Sequence, residues 1–356
     1  MKKHNFYAGP AILPEIVLKE AAQSIINFNN SELSLLEISH RSKGFEAVMD
    51  ESESLVKELL GIGEEYAVLF LTGGASSQFF MISMNILKDG EKAAYINTGV
   101  WASGAIKEVK NFGIAEVIAS SESDQFRHIP KNYSIPTDAA YLHITSNNTI
   151  YGSQYQHWPE SPIPLVCDMS SDLFSRPVDG NKFDLIYAGA QKNLGPAGVT
   201  LVVIKKSLMG RSGRKLPSML NYALHAEKGS MYNTPPVFPI YVSMLTMRWI
   251  KSMGGLEVIA NRNEAKAKLL YDEIDRNSCF VGTVAKEDRS RMNVVFTARH
   301  QDHEPLFLEA CNKANCVGLA GHRSVGGFRA SLYNALELES VATLVQVMQD
   351  FEKDHA

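Results

Sequence analysis

Phe183-Asp184-Leu185-Ile186-Tyr187-Ala188-Gly189-Ala190 runs straight into Gln191-Lys192-Asn193, and the setting of that lysine decides how the chain is read. The apolar run has the length and unbroken hydrophobicity of a strand covered on both faces. Lysine is rarely buried without a partner, because desolvating its ammonium is costly. Upstream, Asp168 ends a second such run, Leu165-Val166-Cys167. An amine and a carboxylate at the ends of neighbouring strands suit a Schiff-base cofactor, with the lysine on a pyridoxal phosphate (PLP) aldehyde and the aspartate at the pyridinium nitrogen. A surface lysine and an unrelated helix-capping aspartate fit the same two residues, so the pair alone leaves both readings open.

Working outward, the same kind of run recurs at Tyr66–Leu71, Ala93–Ile96, Ala139–Ile144 and Val199–Ile204. Continuous rather than alternating hydrophobicity, with connections long enough for crossovers, indicates a mostly parallel sheet under helices, an α/β class. Phe45, Val48, Met49, Leu55, Val56, Leu59 and Leu60 fall at helical spacing before Gly61, and Phe79–Leu87 forms a second apolar helix. Pro235-Pro236 and Pro239 break the chain before a helix at about 241–252, which Gly254-Gly255 ends or bends. A second region begins there: a helix with Leu256, Ile259, Ala267, Leu270 and Ile274, a strand Met292–Phe296, a helix Leu306–Asn315, a strand Phe328–Leu332 and a last helix Leu338–Phe351.

At 356 residues the chain exceeds one ordinary core and suggests about two domains. With 45% hydrophobic and 21% charged residues it reads as globular, without an apolar span of membrane length. The start, Met1-Lys2-Lys3-His4-Asn5-Phe6, leads into Gly9-Pro10 and Pro14 and lacks the apolar core of a signal peptide, so a cytoplasmic location is expected. Cys167, Cys279, Cys311 and Cys316 form no CxxC pair, which favours reduced thiols over disulfides or a metal site. A net charge of -4 gives no case for nucleic acid, so any anion site must be local.

Local anion sites are present. Gly73-Gly74-Ala75-Ser76-Ser77-Gln78 follows a strand and opens a helix, where free backbone N–H groups and the helix dipole bind phosphate; it is not the GxGxxG pattern of dinucleotide folds. Such Gly-Gly turns also arise for packing. Trp101 follows the Asn97-Thr98-Gly99 turn and could stack on a flat ring at the same sheet edge, or simply pack on a helix. Ser146-Asn147-Asn148-Thr149 ends another strand there. Two His-Arg pairs, His40-Arg41 and His322-Arg323, are far apart in sequence yet together would match one dianion, and Arg329 sits in a strand-like run where it needs an anion.

Six blocks in order carry a resemblance along the whole chain: Ala8-Gly9-Pro10-Ala11-Ile12-Leu13-Pro14, Ile38-Ser39-His40-Arg41-Ser42, Gly73–Gln78, Ala190-Gln191-Lys192-Asn193, Tyr232-Asn233-Thr234-Pro235-Pro236, and Gly321-His322-Arg323 through Ala330-Ser331-Leu332-Tyr333-Asn334-Ala335. They resemble the phosphoserine aminotransferase family, fold-type I PLP enzymes. The resemblance implies a large domain over 15–252 with a mostly parallel seven-stranded sheet, and a smaller α+β domain from 1–14 and 253–356. It implies a homodimer with active sites shared between subunits. One PLP per subunit would be held as a Schiff base to Lys192, with Asp168 at the ring nitrogen, Trp101 on the ring and Thr149 on its phenolic side. Ala75, Ser76 and Gln191 would hold the cofactor phosphate, joined by Asn233 and Thr234 of the other subunit. His40, Arg41, His322 and Arg323 match positions for the substrate phosphate or the distal carboxylate of glutamate, and Arg329 matches the α-carboxylate clamp. Some members carry arginine where Ser76 stands here, so a contact from that arginine is missing.

The implied activity is reversible transamination between O-phospho-L-serine and 2-oxoglutarate on one side and 3-phosphohydroxypyruvate and L-glutamate on the other, in serine biosynthesis, with 4-phosphohydroxy-L-threonine of vitamin B6 synthesis as a further candidate. The rivals are an alanine–glyoxylate-type aminotransferase, a cysteine desulfurase built on Cys316, which lacks flanking cations to lower its pKa, a PLP storage protein, which needs no substrate clamp, and a metal hydrolase built on His300-Gln301-Asp302-His303. No metal is expected.

Overall fold

The computed structural model describes residues 3–355. After the short strand β1 (His4–Asn5), helices α1 (Glu15–Ile26) and α2 (Lys43–Leu60) lead to β2 (Tyr66–Leu71), α3 (Gly74–Ile86), β3 (Lys92–Asn97), α4 (Val100–Val109), β4 (Ile114–Ser120), β5 (Leu142–Thr145), β6 (Leu165–Asp168), β7 (Leu185–Gly189) and β8 (Thr200–Lys205). Then come α5 (Tyr222–Glu227), α6 (Val237–Ser252), α7 (Leu256–Arg276), β9 (Phe280–Gly282), β10 (Asn293–Ala298), α8 (His303–Lys313), β11 (Cys316–Val317), β12 (Phe328–Ser331) and α9 (Leu338–His355).

Strands β2 to β8 form one seven-stranded sheet in the order β2-β8-β7-β6-β5-β3-β4. Only β8 is antiparallel to its neighbours; the other pairings are parallel. The C-terminal ends of β2, β3, β5, β6 and β7 therefore reach one edge. From β3 the chain turns to β4 on one side and returns to β5 on the other, which makes the β3/β5 boundary a topological switch point, where open α/β sheets collect ligands.

The continuous apolar runs have the predicted physical cause. Every residue of β2, β5, β6 and β7 is buried. Along β2, Tyr66, Val68 and Phe70 face a core shared with α1, α2 and α6, while Ala67, Leu69 and Leu71 face one shared with α3 and α4. Helix α2 begins where Ser42 caps Phe45 N–H at 3.4 Å and ends at Gly61 in the left-handed region, φ 63°. The run starting at Ala139 yields a strand only from Leu142. Strand β4 escaped the reading because it is incompletely covered: Ile114 and Val117 are exposed, so it shows no buried run.

The C-terminal region has its own core. Antiparallel strands β12-β10-β9 pack with α7, α8 and α9 around Phe280, Phe296, Phe307, Phe328 and Phe351. Strand β1 pairs with β11, and Phe6 joins this core rather than that of the large sheet. All four cysteines are free and buried. No helix among the described residues is long and apolar enough to cross a membrane, and no group of three or more His, Cys, Asp or Glu among them is disposed to hold a metal ion.

Candidate active site

Lys192 lies in the turn after β7, and its Nζ donates to Thr149 Oγ1 at 2.7 Å. The amine also sits 5.9 Å from the centroid of the Trp101 ring, on the first turn of α4. These two partners come from the loops after β5 and β3, the flanks of the switch point. Thr98 Oγ1, donating to Asn148 Oδ1 at 3.2 Å, ties those loops together. The resulting cluster joins residues spread over nearly a hundred positions of sequence.

Asp168 ends β6, the strand beside β7. It is buried, and Ser170 N–H donates to its Oδ1 at 2.9 Å. Burial pushes its carboxyl above the usual range, against the pull of Ser170 and of the Lys192 charge. Lys192 moves the other way. Burial lowers its amine from 10.5 to about 8, Asp168 opposes the fall and Arg329 adds to it. At neutral pH about a tenth of such an amine is unprotonated, roughly 300 times the share for a lysine at its ordinary value.

Arg329, on β12, reaches over from the C-terminal region. Its Nη1 donates to Thr149 O at 3.4 Å, while its buried Nε has no partner among the described residues. A half-satisfied guanidinium beside a catalytic-type amine fits an incoming carboxylate. His322 lies near enough to feel both Arg329 and Arg323, which with burial, the larger effect, lower its pKa. Its Nδ1 shares a 2.7 Å hydrogen bond with Ser324 Oγ. Arg323 is exposed.

The glycine-rich turn has the geometry of an anion cradle. Gly73 and Gly74 have φ of 100° and 69°, and a Cβ at Gly73 would fall 2.1 Å from Ser77 Oγ. No side chain caps the helix they open, so Ala75 and Ser76 sit in a first turn whose N–H groups lack helical acceptors. Gln191 precedes the lysine, and its carbonyl accepts from Ala11 N at 2.9 Å, which draws the N-terminal segment to the site.

Two pairs of predicted residues make no hydrogen bond to the Lys192 cluster among the described residues. His40 and Arg41 precede α2 and bond to each other, Arg41 Nε to His40 Nε2 at 3.3 Å. Asn233 and Thr234 are exposed, and Asn233 borders a small cavity of about 180 Å³ with Gly73 and Ser77.

Sequence reading passed over several buried partners. Asp172, four residues past Asp168, accepts from Ser146 Oγ and, at 3.0 Å, from Gln154 Nε2, with Arg176 3.9 Å away. Burial raises its carboxyl also. Asn147 donates to Ser171 Oγ and to Asn293 Oδ1, both at 2.8 Å, pinning the Thr149 loop between the two cores. The only sequence signal was a row of small polar residues, which reads equally as a turn. A cavity of about 1150 Å³, lined by Tyr155, Trp158, Arg176 and Tyr271, lies elsewhere and borders none of the predicted residues. Cations around it already meet carboxylates, Lys131 with Asp288 and Lys268 with Asp272.

Comparison with known proteins gives this geometry a lineage. The family model described as aminotransferase class-V matches residues 3–344. A phosphoserine aminotransferase of Flavobacterium psychrophilum is 60% identical over 353 residues, 99% of either chain. The solved phosphoserine aminotransferase of Bacillus circulans subsp. alkalophilus superposes with a TM-score of 0.97 at 45% identity, covering 100% of this chain and 99% of that one. The PLP-bound enzyme of Trichomonas vaginalis gives 0.93 at 36% identity over 98% of this chain and all of its own. With so much shared along its whole length, the chain belongs to the class-V aminotransferases, in the phosphoserine aminotransferase family.

Proposed function

We propose that the chain is a PLP-dependent transaminase that reversibly interconverts O-phospho-L-serine and 2-oxoglutarate with 3-phosphohydroxypyruvate and L-glutamate, running toward O-phospho-L-serine in serine biosynthesis. The observation that carries this is the convergence of Lys192, Asp168, Trp101, Thr149 and Arg329 at one switch point. These residues fit the cofactor: a buried carboxyl for a ring nitrogen, an amine already shifted toward its free base, an aromatic face, and an uncapped helix start for a phosphate.

Lys192 would hold the aldehyde as a Schiff base, Asp168 the ring nitrogen, Trp101 the ring face, and Thr149 the phenolic side. Ala75, Ser76 and Gln191 would take the phosphate, with Asn233 and Thr234 completing it from a second copy. When bound, PLP supplies an electron sink for the carbanion at the substrate's Cα. Lys192 Nζ would take the Cα proton, and its lowered pKa matches that task. Arg329 orients the α-carboxylate. His40, Arg41, His322 and Arg323 take the distal anion, a γ-carboxylate in one half-reaction and a phosphate of about -1.5 to -2 charge in the other. The same cations suit 4-phosphohydroxy-L-threonine.

A homodimer follows from the same reading. Leu33, Leu36 and Tyr232 are exposed in the segments that carry His40, Arg41, Asn233 and Thr234, which suits a covering second copy. The division into a large domain over 15–252 and a small one over 1–14 and 253–356 is supported by the separate cores, with Phe6 in the second. The reading includes a cytoplasmic location. Phosphoserine, glutamate and alanine, added separately to the PLP-loaded protein, test the substrate: the first two should discharge the cofactor's visible absorbance. Discharge by alanine but not by phosphoserine would overturn the assignment.

A further inference from the structure

Lys192 and Arg329 stand on different cores, so transamination requires something to fix the distance between the base and the carboxylate clamp. The turn after β12 is anchored at each of its three residues. Lys266 Nζ donates to Leu332 O at 2.8 Å and to Tyr333 O at 2.7 Å. Asn334 donates from Nδ2 to Phe174 O at 2.8 Å and accepts from Asn263 Nδ2 at 2.8 Å. Asn263 also donates to Ser175 O at 2.9 Å, joining α7 to the segment that follows Asp172.

The side chain that reaches this turn from the lysine loop belongs to the residue next to Lys192. Asn193 is buried, and its Oδ1 accepts from the Asn334 backbone N–H at 3.0 Å. Its Nδ2 points to Ser171 O and Met292 Sδ, both at 3.4 Å. One amide thus contacts the segment after Asp168, the residue before β10 and the turn after β12. Leu332 N, donating to Met292 O at 2.7 Å, closes the loop of contacts.

From this arrangement we infer that Asn193 is a positioning residue: with Asn334 it forms a latch that sets the Lys192–Arg329 spacing and so places the Cα of an α-amino acid under the Lys192 amine. The inference rests on the transaminase reading. It has a specific signature, because the latch matters only to a ligand that must touch both Lys192 and Arg329. An amine without a carboxylate needs only the first.

Asn193→Ala in the PLP-loaded protein is the test, with Asn334→Ala, which keeps the backbone N–H, as the milder second variant. A misplacement of about 1 Å in reacting groups lowers rates roughly 100-fold. The latch predicts a fall of about 10- to 100-fold in kcat/KM for phosphoserine and glutamate alike in Asn193→Ala, with a smaller fall in Asn334→Ala. Hydroxylamine, which attacks the cofactor without touching Arg329, should discharge its absorbance within about twofold of the wild-type rate, a bound set by the near-unchanged lysine site. Glutarate, a non-reacting dicarboxylate, should bind more weakly by calorimetry. Equal losses with hydroxylamine and glutamate would reduce Asn193 to a general structural role and overturn the proposal, as would unchanged glutamate kinetics. Failure of the transaminase reading shows separately, as wild-type protein that does not react with phosphoserine.

Discussion

Replacing Lys192 by methionine should stabilise the cofactor-free protein, and the gain should depend on pH. Lys192 has an amine value of about 8 in the folded protein against 10.5 ordinarily. Between those values the folded state binds fewer protons than the unfolded chain, so the wild-type protein gains stability as pH climbs through that window. Below it the full cost of holding the ammonium is present, roughly 3 kcal/mol from a shift of that size at 1.36 kcal/mol per unit. The residue is only part-buried, and solvent screening trims the figure to about 2 kcal/mol. The lost hydrogen bond to Thr149 removes up to about 1 kcal/mol more. Urea unfolding of both cofactor-free proteins, at one pH well below the window and one near its upper end, should show Lys192→Met more stable by about 1–2 kcal/mol at the lower pH, with the gap shrinking by about the same amount at the higher. A gap that is constant or that widens with pH would refute the claim that burial, rather than its neighbours, sets the lysine's state.

Asp168→Asn keeps the shape but not the charge, and should slow Cα proton transfer by at least about 100-fold while weakening PLP binding much less, as stopped-flow absorbance and equilibrium dialysis would report. Arg323→Ala should raise the KM for phosphoserine by about tenfold or more, the worth of a charged hydrogen bond, with little change in PLP affinity; equal losses of both would remove it from the substrate pocket. In Thr149→Val the Lys192 ammonium loses its acceptor at 2.7 Å, so the pH midpoint for PLP capture by the cofactor-free protein should fall by about one unit, and a rise would contradict the geometry.

What was legible in the sequence follows from how each feature is encoded. Strands covered on both faces leave an unbroken apolar run, so β2, β6 and β7 were readable almost to the residue. A strand left open to solvent leaves none, and β4, with Ile114 and Val117 exposed, went unread, whereas β2, at the opposite edge but fully buried, did not. Lys192, Asp168 and Trp101 were visible because strand ends in a parallel sheet share an edge. The Asn147–Asn293 and Asn193–Asn334 contacts were not, since a buried asparagine bonded across 141 or 146 positions looks in sequence like any turn residue. The placement of the His-Arg pairs came from family resemblance: in one chain His40 and Arg41 bond to each other, and no local pattern says what they face.

The charges at the switch point show why a lysine and an aspartate so near each other do not simply form an ion pair. A pair that paid for its own burial would draw the carboxyl down and the amine up. Here both move toward neutrality, Asp168 upward and Lys192 down to about 8, because desolvation outweighs their mutual attraction. Asp172 and Arg329 reinforce this from opposite sides, the one raising Asp168 and the other lowering Lys192. The protein thus keeps an acceptor for a cationic ring nitrogen and a base for a carbon-bound proton, and avoids spending either on the other. A structural ion pair would have needed only closeness; this arrangement needs Thr149 and Trp101 at the amine and Ser170 at the carboxylate, each from a different loop of the same sheet edge.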